Sequence, residues 1–185
     1  MQITKTSIEG LLLLTPKVFE DERGHFFESY NREDLKKIGI DAEFVQDNES
    51  YSKFGVLRAL HFQVSMPQAK LVRVIKGEVL DVAVDIRPGS PTFGQHASFR
   101  LSAENKNQLF IPRGFAHGFI TLSEDAVFQY KCDNYYDPND KSGLIYNDPT
   151  LNIDWLLTND QIIVNERDRS FSNLAEFKQQ YSNGK

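Results

Sequence analysis

A chain of 185 residues, 40% of them hydrophobic, is long enough for one domain with a full core, and no repeat divides it. Its net charge of -5 argues against nonspecific nucleic-acid binding, so any anionic ligand must be held by a few placed Arg and Lys side chains. The longest uncharged apolar run, residues 11–14, cannot span a bilayer, and the N-terminus lacks a signal-peptide layout. The single cysteine, Cys132, cannot form an internal disulfide. We therefore predict one cytoplasmic domain over residues 1–185 that binds neither membranes nor nucleic acid.

The first fifty residues predict short strands around a single helix. A turn signal at residues 21–24 separates two apolar segments. Asn31 can cap a helix that runs to Lys37, and acidic residues fall in its first turn, where the helix dipole favours them. A later strand, at residues 44–52, carries four successive amide or acid side chains, which suit a polar lining better than a core. The other strand-like segments are residues 3–7, 11–19 and 25–30.

Residues 56–85 form the stretch around which the rest of the chain is organised. They place four polar side chains on two apolar runs within thirteen positions: Arg58, His61, Gln63 and Lys70. One such residue alone is more often an edge residue that faces solvent. Strict alternation along a strand would put Arg58 on the opposite face from His61 and Gln63. Four chemically complementary groups favour a site that contains His61, Gln63 and Lys70, with Arg58 near its rim.

The remainder of the chain continues the pattern of short strands and turns. Gly77, between two β-branched runs, predicts a hairpin, and residues 87–91 form a loop. This close spacing favours an antiparallel sandwich or barrel over alternating β-α units. The last part turns irregular and closes with a helix that Asn173 caps and that runs to Gln180. Further strands are predicted at residues 95–101, 108–111 and 126–131.

Two motifs resemble those of the cupin family of double-sheet jelly rolls. The second cupin motif is matched by Pro112, Gly114 and His117, and the spacing of the first is matched by His61, Gln63, Lys70 and Gly77. A metal-binding cupin would carry His in place of Gln63 and Glu in place of Lys70. An ammonium repels a divalent cation, and two histidines fall short of the usual three protein ligands. We therefore predict an all-β, cupin-type jelly roll with a few short peripheral helices and with no metal or other cofactor.

A narrower resemblance covers nearly the whole chain. Each matching segment alone is weak, but their order over this length is highly specific: residues 19–24, 26–30, 44–48, 57–63, 70–73, 77–87, 111–119 and 128–136. These segments resemble the dTDP-4-dehydrorhamnose 3,5-epimerase family of nucleotide-sugar biosynthesis. The resemblance implies cofactor-free epimerisation at C3 and C5 of dTDP-4-dehydro-6-deoxy-D-glucose, through an enolate, to dTDP-4-dehydro-L-rhamnose.

The resemblance also implies four catalytic residues. His61 would be the base, since an imidazole with a pKa of about 6.5 is largely neutral at pH 7, and Asp168 would hold its tautomer. Tyr130 would be the acid on the opposite face. Lys70 would lie beside the C4 oxygen, where a fixed cation stabilises an enolate by about 3 kcal/mol. Without the resemblance, the ordinary readings are a core histidine, a solvated loop acid, a packing tyrosine and a strand-edge lysine.

Asp81, on the strand after Lys70, is expected to hold His117 inside the barrel. Further residues follow from the same resemblance. In the family, residues 23–28 reach the site of a partner subunit, so a functional homodimer is expected. The residues expected to bind the dTDP-sugar are Arg23, Phe26, Glu28, Gln46, Asn48, Arg58, Gln63, His117 and Arg167.

The chain departs from the family pattern at a few positions, and more than one function fits the sequence. Ala59 replaces a usual Gly and is expected to add a methyl near the sugar, Arg113 stands where an acid is common, and Ile145 and Tyr146 replace a usual Leu-Trp pair. The alternatives are a single-position epimerase or ketoisomerase of a related dTDP-4-keto-6-deoxy sugar, and a non-catalytic nucleotide-sugar-binding module. The sequence leaves open whether C3, C5 or both are inverted.

Overall fold

Two antiparallel β-sheets lie face to face in the computed structural model, which describes residues 1–140 and 142–183. In chain order the strands are β1 (Gln2–Lys5), β2 (Leu12–Thr15), β3 (Phe19–Asp21), β4 (Gly24–Phe26), β5 (Gln46–Lys53), β6 (Leu57–Phe62), β7 (Lys70–Lys76), β8 (Glu78–Asp85), β9 (His96–Ser102), β10 (Gln108–Ile111), β11 (Phe115–Thr121), β12 (Asp125–Cys132) and β13 (Ser142–Gly143). The helices are α1 (Arg32–Lys37), α2 (Glu166–Arg169) and α3 (Leu174–Asn183). Within these residues, no helix has the length and apolar character needed to cross a membrane.

The strand order confirms the predicted all-β double sheet with a few short helices. The six-stranded sheet has the order β1-β2-β10-β7-β12-β5, and the five-stranded sheet has the order β13-β6-β11-β8-β9. Strands β3 and β4 form a separate hairpin that pairs only with itself among the described residues. The turn expected at residues 21–24 is the turn of this hairpin.

Strand β8 is buried on both faces, which explains its nearly continuous apolar sequence. Val79 and Ala83 face the space between the sheets, where they join Phe119 and Phe128 in one core cluster. The alternate residues of β8, such as Val82, belong to a second cluster on the outer face of the five-stranded sheet. The C-terminal region covers that outer face with Trp155, Leu174 and Phe177. Each fully buried aliphatic or aromatic side chain stabilises the fold by about 1.5–3 kcal/mol.

Helix α1 begins and ends where the sequence predicted. The Asn31 side chain accepts hydrogen bonds from the backbone N–H groups of Glu33 and Asp34, as an N-cap should. Leu35 is the buried residue of this helix and packs in a third cluster, on the outer face of the six-stranded sheet. The helix therefore closes the side of the sandwich opposite the C-terminal region.

The hairpin predicted at Gly77 is wrong. Strand β7 pairs with β10 and β12, whereas β8 pairs with β9 and β11, so the chain passes from one sheet to the other at Gly77. Gly77 has a φ of 77°, and a Cβ there would collide with the Asp125 carbonyl. The sequence signal located a sharp turn correctly but did not reveal that its two strands pair with different neighbours.

The strict alternation predicted for β6 is also wrong. His61 pairs with His117 and Arg58 pairs with Phe119, so three steps along β6 match two steps along β11. Such a bulge turns the side chains that follow it. Arg58 and His61 therefore both line the same cavity, which strict alternation forbids.

The closing helix is confirmed and extends beyond its predicted end at Gln180. Asn173 Oδ1 accepts from the backbone of Glu176 at 2.9 Å, and Glu176 Oε2 accepts from the backbone of Asn173 at 3.1 Å. This reciprocal pair is a capping box. Buried Asp148 joins the helix to the preceding loop, because its carboxylate accepts from the backbone N–H groups of Leu151 and Leu174.

Candidate active site

A cavity of about 370 Å³ opens between the two sheets. One wall carries His61 from β6 and His117 from β11, and the other carries Lys70 from β7 and Tyr130 from β12. The volume is within the range of small-molecule sites. The remaining lining residues are Gln46, Asn48, Ser50, Arg58, Phe62, Gln63, Gln68, Phe119, Phe128, Tyr136, Asp140, Ser142, Arg167 and Phe171.

His61 and Asp168 form a hydrogen-bonded pair at this cavity. His61 Nε2 lies 2.8 Å from Asp168 Oδ2, and the Asp168 side chain is fully buried. Because an ionised carboxylate can only accept, the proton between the two atoms belongs to Nε2. Nδ1 of the neutral ring therefore carries the lone pair, and it makes no hydrogen bond with another described residue. Nδ1 is the nitrogen available to act as a base.

The surroundings of His61 favour its neutral form. Burial lowers the pKa of His61, and the positive charges of Lys70 and Arg167 lower it further, while Asp168 opposes the shift. The net direction is downward, so the imidazole is neutral at pH 7. A general base must be in this form before the reaction begins.

Helix α2 holds Asp168 in place. Asn165 Oδ1 caps the helix by accepting from the Asp168 backbone at 2.7 Å. The backbone N–H of Ala59 and Nε of Arg167 donate to the Asp168 carboxylate at 3.3 and 3.2 Å. Burial alone would raise the pKa of Asp168, but hydrogen bonding to His61 and the nearby Arg167 outweigh it and lower that pKa. Asp168 is therefore a buried anion and not the solvated loop acid that the residue alone suggests.

Lys70 and Tyr130 lie on neighbouring strands of the opposite wall. Tyr130 pairs with Asn48 on β5, and Cys132 pairs with Lys70 on β7. The Lys70 ammonium lies 5.8 Å from the centroid of the Tyr130 ring and makes no hydrogen bond or ion pair with another described residue. Burial lowers the pKa of Lys70 and raises the pKa of Tyr130. The site thus presents a cation with free donors and a protonated phenol.

His117 and Asp81 form a second pair, inside the sandwich. His117 Nε2 lies 2.9 Å from Asp81 Oδ2, and both side chains are buried. Asp81 Oδ1 is buried and has no hydrogen-bond partner among the described residues. The contact expected between Asp81 and His117 is thus present, and it fixes the ring of His117 at the cavity wall.

Several residues expected to bind substrate also reach the cavity. Gln46 and Asn48 line it on alternate positions of β5, and they are hydrogen-bonded to each other at 2.9 Å. Arg58 Nε donates to Ser52 at 3.0 Å, and Arg167 lies beside His61. Gln63 uses its amide on backbone groups, donating to the carbonyl of Met66 and accepting from the N–H of Asp137. Gln63 therefore shapes a loop at the cavity as well as lining it.

Arg23, Phe26 and Glu28 do not line the cavity. Arg23 lies at the exposed turn of the β3–β4 hairpin, where it pairs with Asp21 at 2.5 Å. Phe26, on β4 of the same hairpin, is 70% exposed. One chain alone thus does not bring these three residues together with His61.

The positions that depart from the family pattern all have structural partners. Ala59 is fully buried and does not line the cavity, so the expected methyl near the sugar is wrong. The reason is the bulge in β6, which turns Ala59 toward Gly118 of β11, where a Cβ would meet the Ala59 methyl at 2.5 Å. Arg113 pairs with Asp133 at 2.8 Å, and the Tyr146 carbonyl accepts from Trp155 Nε1 at 2.9 Å.

Sequence reasoning did not identify Phe171, Tyr136 or Ser50 as cavity residues. Ser50 continues the alternation of Gln46 and Asn48 along β5, which was a usable signal. Phe171 follows Asp168 by three positions, and only that proximity in sequence could have suggested it. Phe171 is apolar, and the hydroxyls of Tyr136 and Ser50 are common on packing and surface residues, so their chemistry alone does not indicate a site.

Among residues 1–140 and 142–183, no group of three or more His, Cys, Asp and Glu side chains is placed to hold a metal ion. The two histidines of the cavity each direct Nε2 to a buried carboxylate. Lys70, at one of the ligand positions of metal-binding cupins, puts an ammonium into the same cavity.

The fold and the cavity together define a cupin-type jelly roll with acid–base groups on both walls. A family model described as dTDP-4-dehydrorhamnose 3,5-epimerase matches residues 5–176, and the chain belongs to this family of epimerases. It is 57% identical over 157 residues to the dTDP-4-dehydrorhamnose 3,5-epimerase of Salmonella typhimurium, covering 84% of this chain and 86% of that protein. The enzyme of the same name from Methanothermobacter thermautotrophicus is 49% identical, with 93% and 94% covered.

A solved structure is similar over almost the full length. It is a dTDP-6-deoxy-D-glucose-3,5-epimerase from Legionella pneumophila in complex with dTDP-4-keto-L-rhamnose. The TM-score is 0.93 at 48% sequence identity, and the match covers 97% of this chain and 95% of that one. The identity and the coverage indicate a shared fold.

Proposed function

We propose that this protein inverts C3 and C5 of dTDP-4-dehydro-6-deoxy-D-glucose and so forms dTDP-4-dehydro-L-rhamnose. The observation that carries the proposal is the His61–Asp168 pair on one wall of a cavity whose other wall presents Lys70 and Tyr130. Inversion at a carbon next to a carbonyl needs a base on one face of the sugar ring and an acid on the other. Membership of the epimerase family supports the same reaction.

The first step removes a proton from the carbon. The C–H bonds at C3 and C5 are acidic because both carbons adjoin the C4 carbonyl. Nδ1 of His61 takes the proton, and the electron pair of the broken bond forms a C–C double bond while C4–O becomes an enolate. Asp168 stabilises the imidazolium that results. Lys70 stabilises the enolate oxygen, for which its unpartnered ammonium is suited, by about 3 kcal/mol.

The second step delivers a proton to the opposite face. Tyr130 donates its hydroxyl proton to the same carbon, the double bond is lost and the C4 carbonyl re-forms with the carbon inverted. Burial raises the pKa of Tyr130, so the phenol is protonated before the step and strongly basic after it. A proton lost from His61 to solvent and one regained by Tyr130 restore the enzyme, so the reaction consumes nothing.

Deuterium exchange tests this function directly. The protein is incubated with dTDP-4-dehydro-6-deoxy-D-glucose in D₂O, and the labelled positions are located by NMR. We expect deuterium at both C3 and C5, together with the inverted sugar. Label at one carbon alone would identify a single-position epimerase, and tight binding without any label would identify a binding module.

A homodimer is part of the proposal. Arg58 and Arg167 reach the cavity of their own chain and suit diphosphate oxygens, whereas Arg23, Phe26 and Glu28 lie outside it. The hairpin that carries Arg23 also exposes Phe19 and Phe26, at 54% and 70%. Large apolar side chains on a self-paired hairpin support docking against a second copy, whose cavity the hairpin would complete.

Mixing two inactive variants tests this arrangement. His61→Ala removes the base of its own cavity, and Arg23→Ala removes a group proposed to serve the partner's cavity. When equal amounts of the two variants are refolded together, half of the dimers are mixed. Each mixed dimer contains one intact site, so about a quarter of wild-type activity should return. No recovery above the sum of the separate variants would contradict the shared site.

The proposal places the protein in the cytoplasm. Cys132 is buried and is the only cysteine, so no part of the chain needs an oxidising compartment. Burial raises the pKa of the Cys132 thiol to about 11, which keeps it unreactive.

A further inference from the structure

Phe171 lies at the cavity beside His61 and Arg167, and the proposed function gives it no role. Its ring lines the cavity two residues after the end of α2. The ring centroids of Phe171 and His61 are 5.8 Å apart with an interplanar angle of 75°, an edge-to-face contact. The Arg167 guanidinium carbon lies 5.9 Å from the same Phe171 centroid. One ring therefore contacts both side chains that bind the Asp168 carboxylate.

Gly143 makes room for this ring. It pairs with His61 across β13 and β6, and the next residue, Leu144, bridges to Ser172. Phe171 is thereby brought over Gly143, where a Cβ would lie 2.5 Å from Cδ2 and 2.7 Å from Cζ of the ring. The backbone of Gly143 is outside the left-handed region, so its missing side chain, and not conformational freedom, is what the site requires.

We infer that the contact between Phe171 and Gly143 sets the orientation of the catalytic base. Phe171 is a positioning residue: it holds the His61 ring with Nε2 on Asp168 Oδ2 and keeps Arg167 on the other oxygen of that carboxylate. Asp168 is fully buried, and it accepts from His61 on Oδ2 and from Arg167 on Oδ1. This inference rests on the proposed function, because it concerns the same base.

The short distance between Arg167 and His61 indicates which movement the Phe171 ring limits. Arg167 Nη2 lies 3.4 Å from His61 Nε2, close enough to compete for Asp168 Oδ2 once either side chain moves. Phe171 packs against both and limits their rotation. An imidazole that turned away from Asp168 would lose its tautomer and its alignment with the sugar, and a displacement of about 1 Å can lower the rate by about 100-fold.

The ring also keeps water from one side of His61. The charged and titratable groups around His61 are Asp168 and Arg167 from α2, Lys70 from β7, Tyr130 from β12, His117 from β11, Arg58 from β6, and Tyr136 and Asp140 from the segment after β12. Removing the Phe171 ring changes none of these residues but admits water to His61. Because burial lowers the pKa of His61, hydration should raise it, and activity should then be lost at a higher pH as the solution is acidified.

Four variants test the inference: Phe171→Ala, Gly143→Ala, the two combined, and Phe93→Ala as a matched control. Phe93 is a partly buried aromatic residue of the core cluster under the C-terminal region and does not line the cavity. Phe171→Ala should lower kcat about 10- to 100-fold with little change in KM, and should move the acidic limb of the pH profile upward. Phe93→Ala should lower the melting temperature but leave kcat and the pH profile unchanged.

The combined variant separates positioning from general damage. In Gly143→Ala the new methyl displaces the ring, so kcat should fall; with Phe171→Ala there is no ring to displace. The combined variant should therefore be no slower than Phe171→Ala alone. If Gly143→Ala does not fold, Phe171→Ala and its pH profile carry the test.

Three results would overturn the inference: wild-type kcat and pH profile in folded Phe171→Ala, a loss confined to KM, or fully additive losses in the combined variant. A loss confined to KM would mean that Phe171 contacts the substrate and does not position the base. Absence of deuterium exchange in the wild-type protein would instead contradict the proposed function itself.

Discussion

His61 and His117 are each hydrogen-bonded to a buried aspartate, yet their surroundings suit them to different work. The His61 side chain is 31% exposed, and its pKa is lowered by partial burial and, to a smaller extent, by the charges of Lys70 and Arg167. The His117 side chain is 7% exposed and stacks against Phe128, with ring centroids 6.1 Å apart. Accessibility and a lowered pKa suit His61 to the proposed role of base, whereas burial suits His117 to a fixed contact.

Replacing the base should remove chemistry without removing recognition. We expect His61→Ala to abolish exchange at both C3 and C5 while dTDP binding, measured by calorimetry, stays within about threefold of wild type, since the base acts only in the reaction. Circular dichroism is the control for folding. Wild-type exchange in the folded variant would assign the base elsewhere.

Replacing the acid should separate exchange from inversion. Tyr130→Phe keeps His61 and Lys70, so the enolate still forms and deuterium still enters the substrate in D₂O. The enolate is then protonated on its original face, and conversion to the inverted sugar should fall about 100- to 10,000-fold. An equal fall in both processes would mean that Tyr130 positions the sugar, and inversion at the wild-type rate would make it a packing residue.

At the scale of elements, Asp85 shows how one carboxylate orders a loop. It lies at the end of β8, fully buried, and accepts from Arg87, Ser90 and Thr92. Burial alone would raise the pKa of Asp85, but these hydrogen bonds outweigh it and lower the pKa from 3.8 to about 2. Linkage converts that difference into about 2 kcal/mol of stability at neutral pH.

The pH dependence of unfolding tests this contribution. Because the pKa is lower in the folded state, the stabilisation is complete above the unfolded value of 3.8 and is lost as pH falls toward about 2. Asp85→Asn should therefore be less stable than wild type at pH 7, and the gap in unfolding free energy should narrow below about pH 4. A gap independent of pH would mean that packing, not ionisation, stabilises the loop.

Local chemistry predicted the elements whose causes are local. Asn31 and Asn173 cap the two longer helices, and β10 has its predicted bounds, because caps and apolar runs act over a few residues. The crossing at Gly77 and the bulge before His61 depend on which strands pair, and the sequence carries no local sign of pairing. Phe171 was missed for the same reason, since its partner Gly143 is distant in the chain.

At the scale of the molecule, the two walls of the cavity come from different sheets, so the packing of the sheets fixes the distance between His61 and Tyr130. His61 belongs to the five-stranded sheet and Tyr130 to the six-stranded one. The aromatic rings of Phe119 and Phe128 stack between the sheets with centroids 4.1 Å apart. Core packing therefore also sets the width of the cavity across which the proposed proton transfers would take place.

The site should work without a metal ion. Because Lys70 places an ammonium where a cupin metal ligand would lie, and Gln63 spends its amide on backbone groups, we expect full activity after exhaustive chelation. Elemental analysis of the purified protein should find no stoichiometric transition metal. One ion per chain, with activity that falls on its removal and recovers on its return, would contradict this prediction.

The pairing of His61 with Asp168 joins residues 107 positions apart. A nascent chain that has not yet reached residue 165 already contains the base, the ammonium and the phenol, but its imidazole lacks the carboxylate that fixes its tautomer. After dilution from denaturant, recovery of circular dichroism therefore times the assembly of the sheets, whereas turnover cannot recover until the C-terminal segment has arrived on β6. The enzyme's own reaction thus reports that its C-terminal segment has docked.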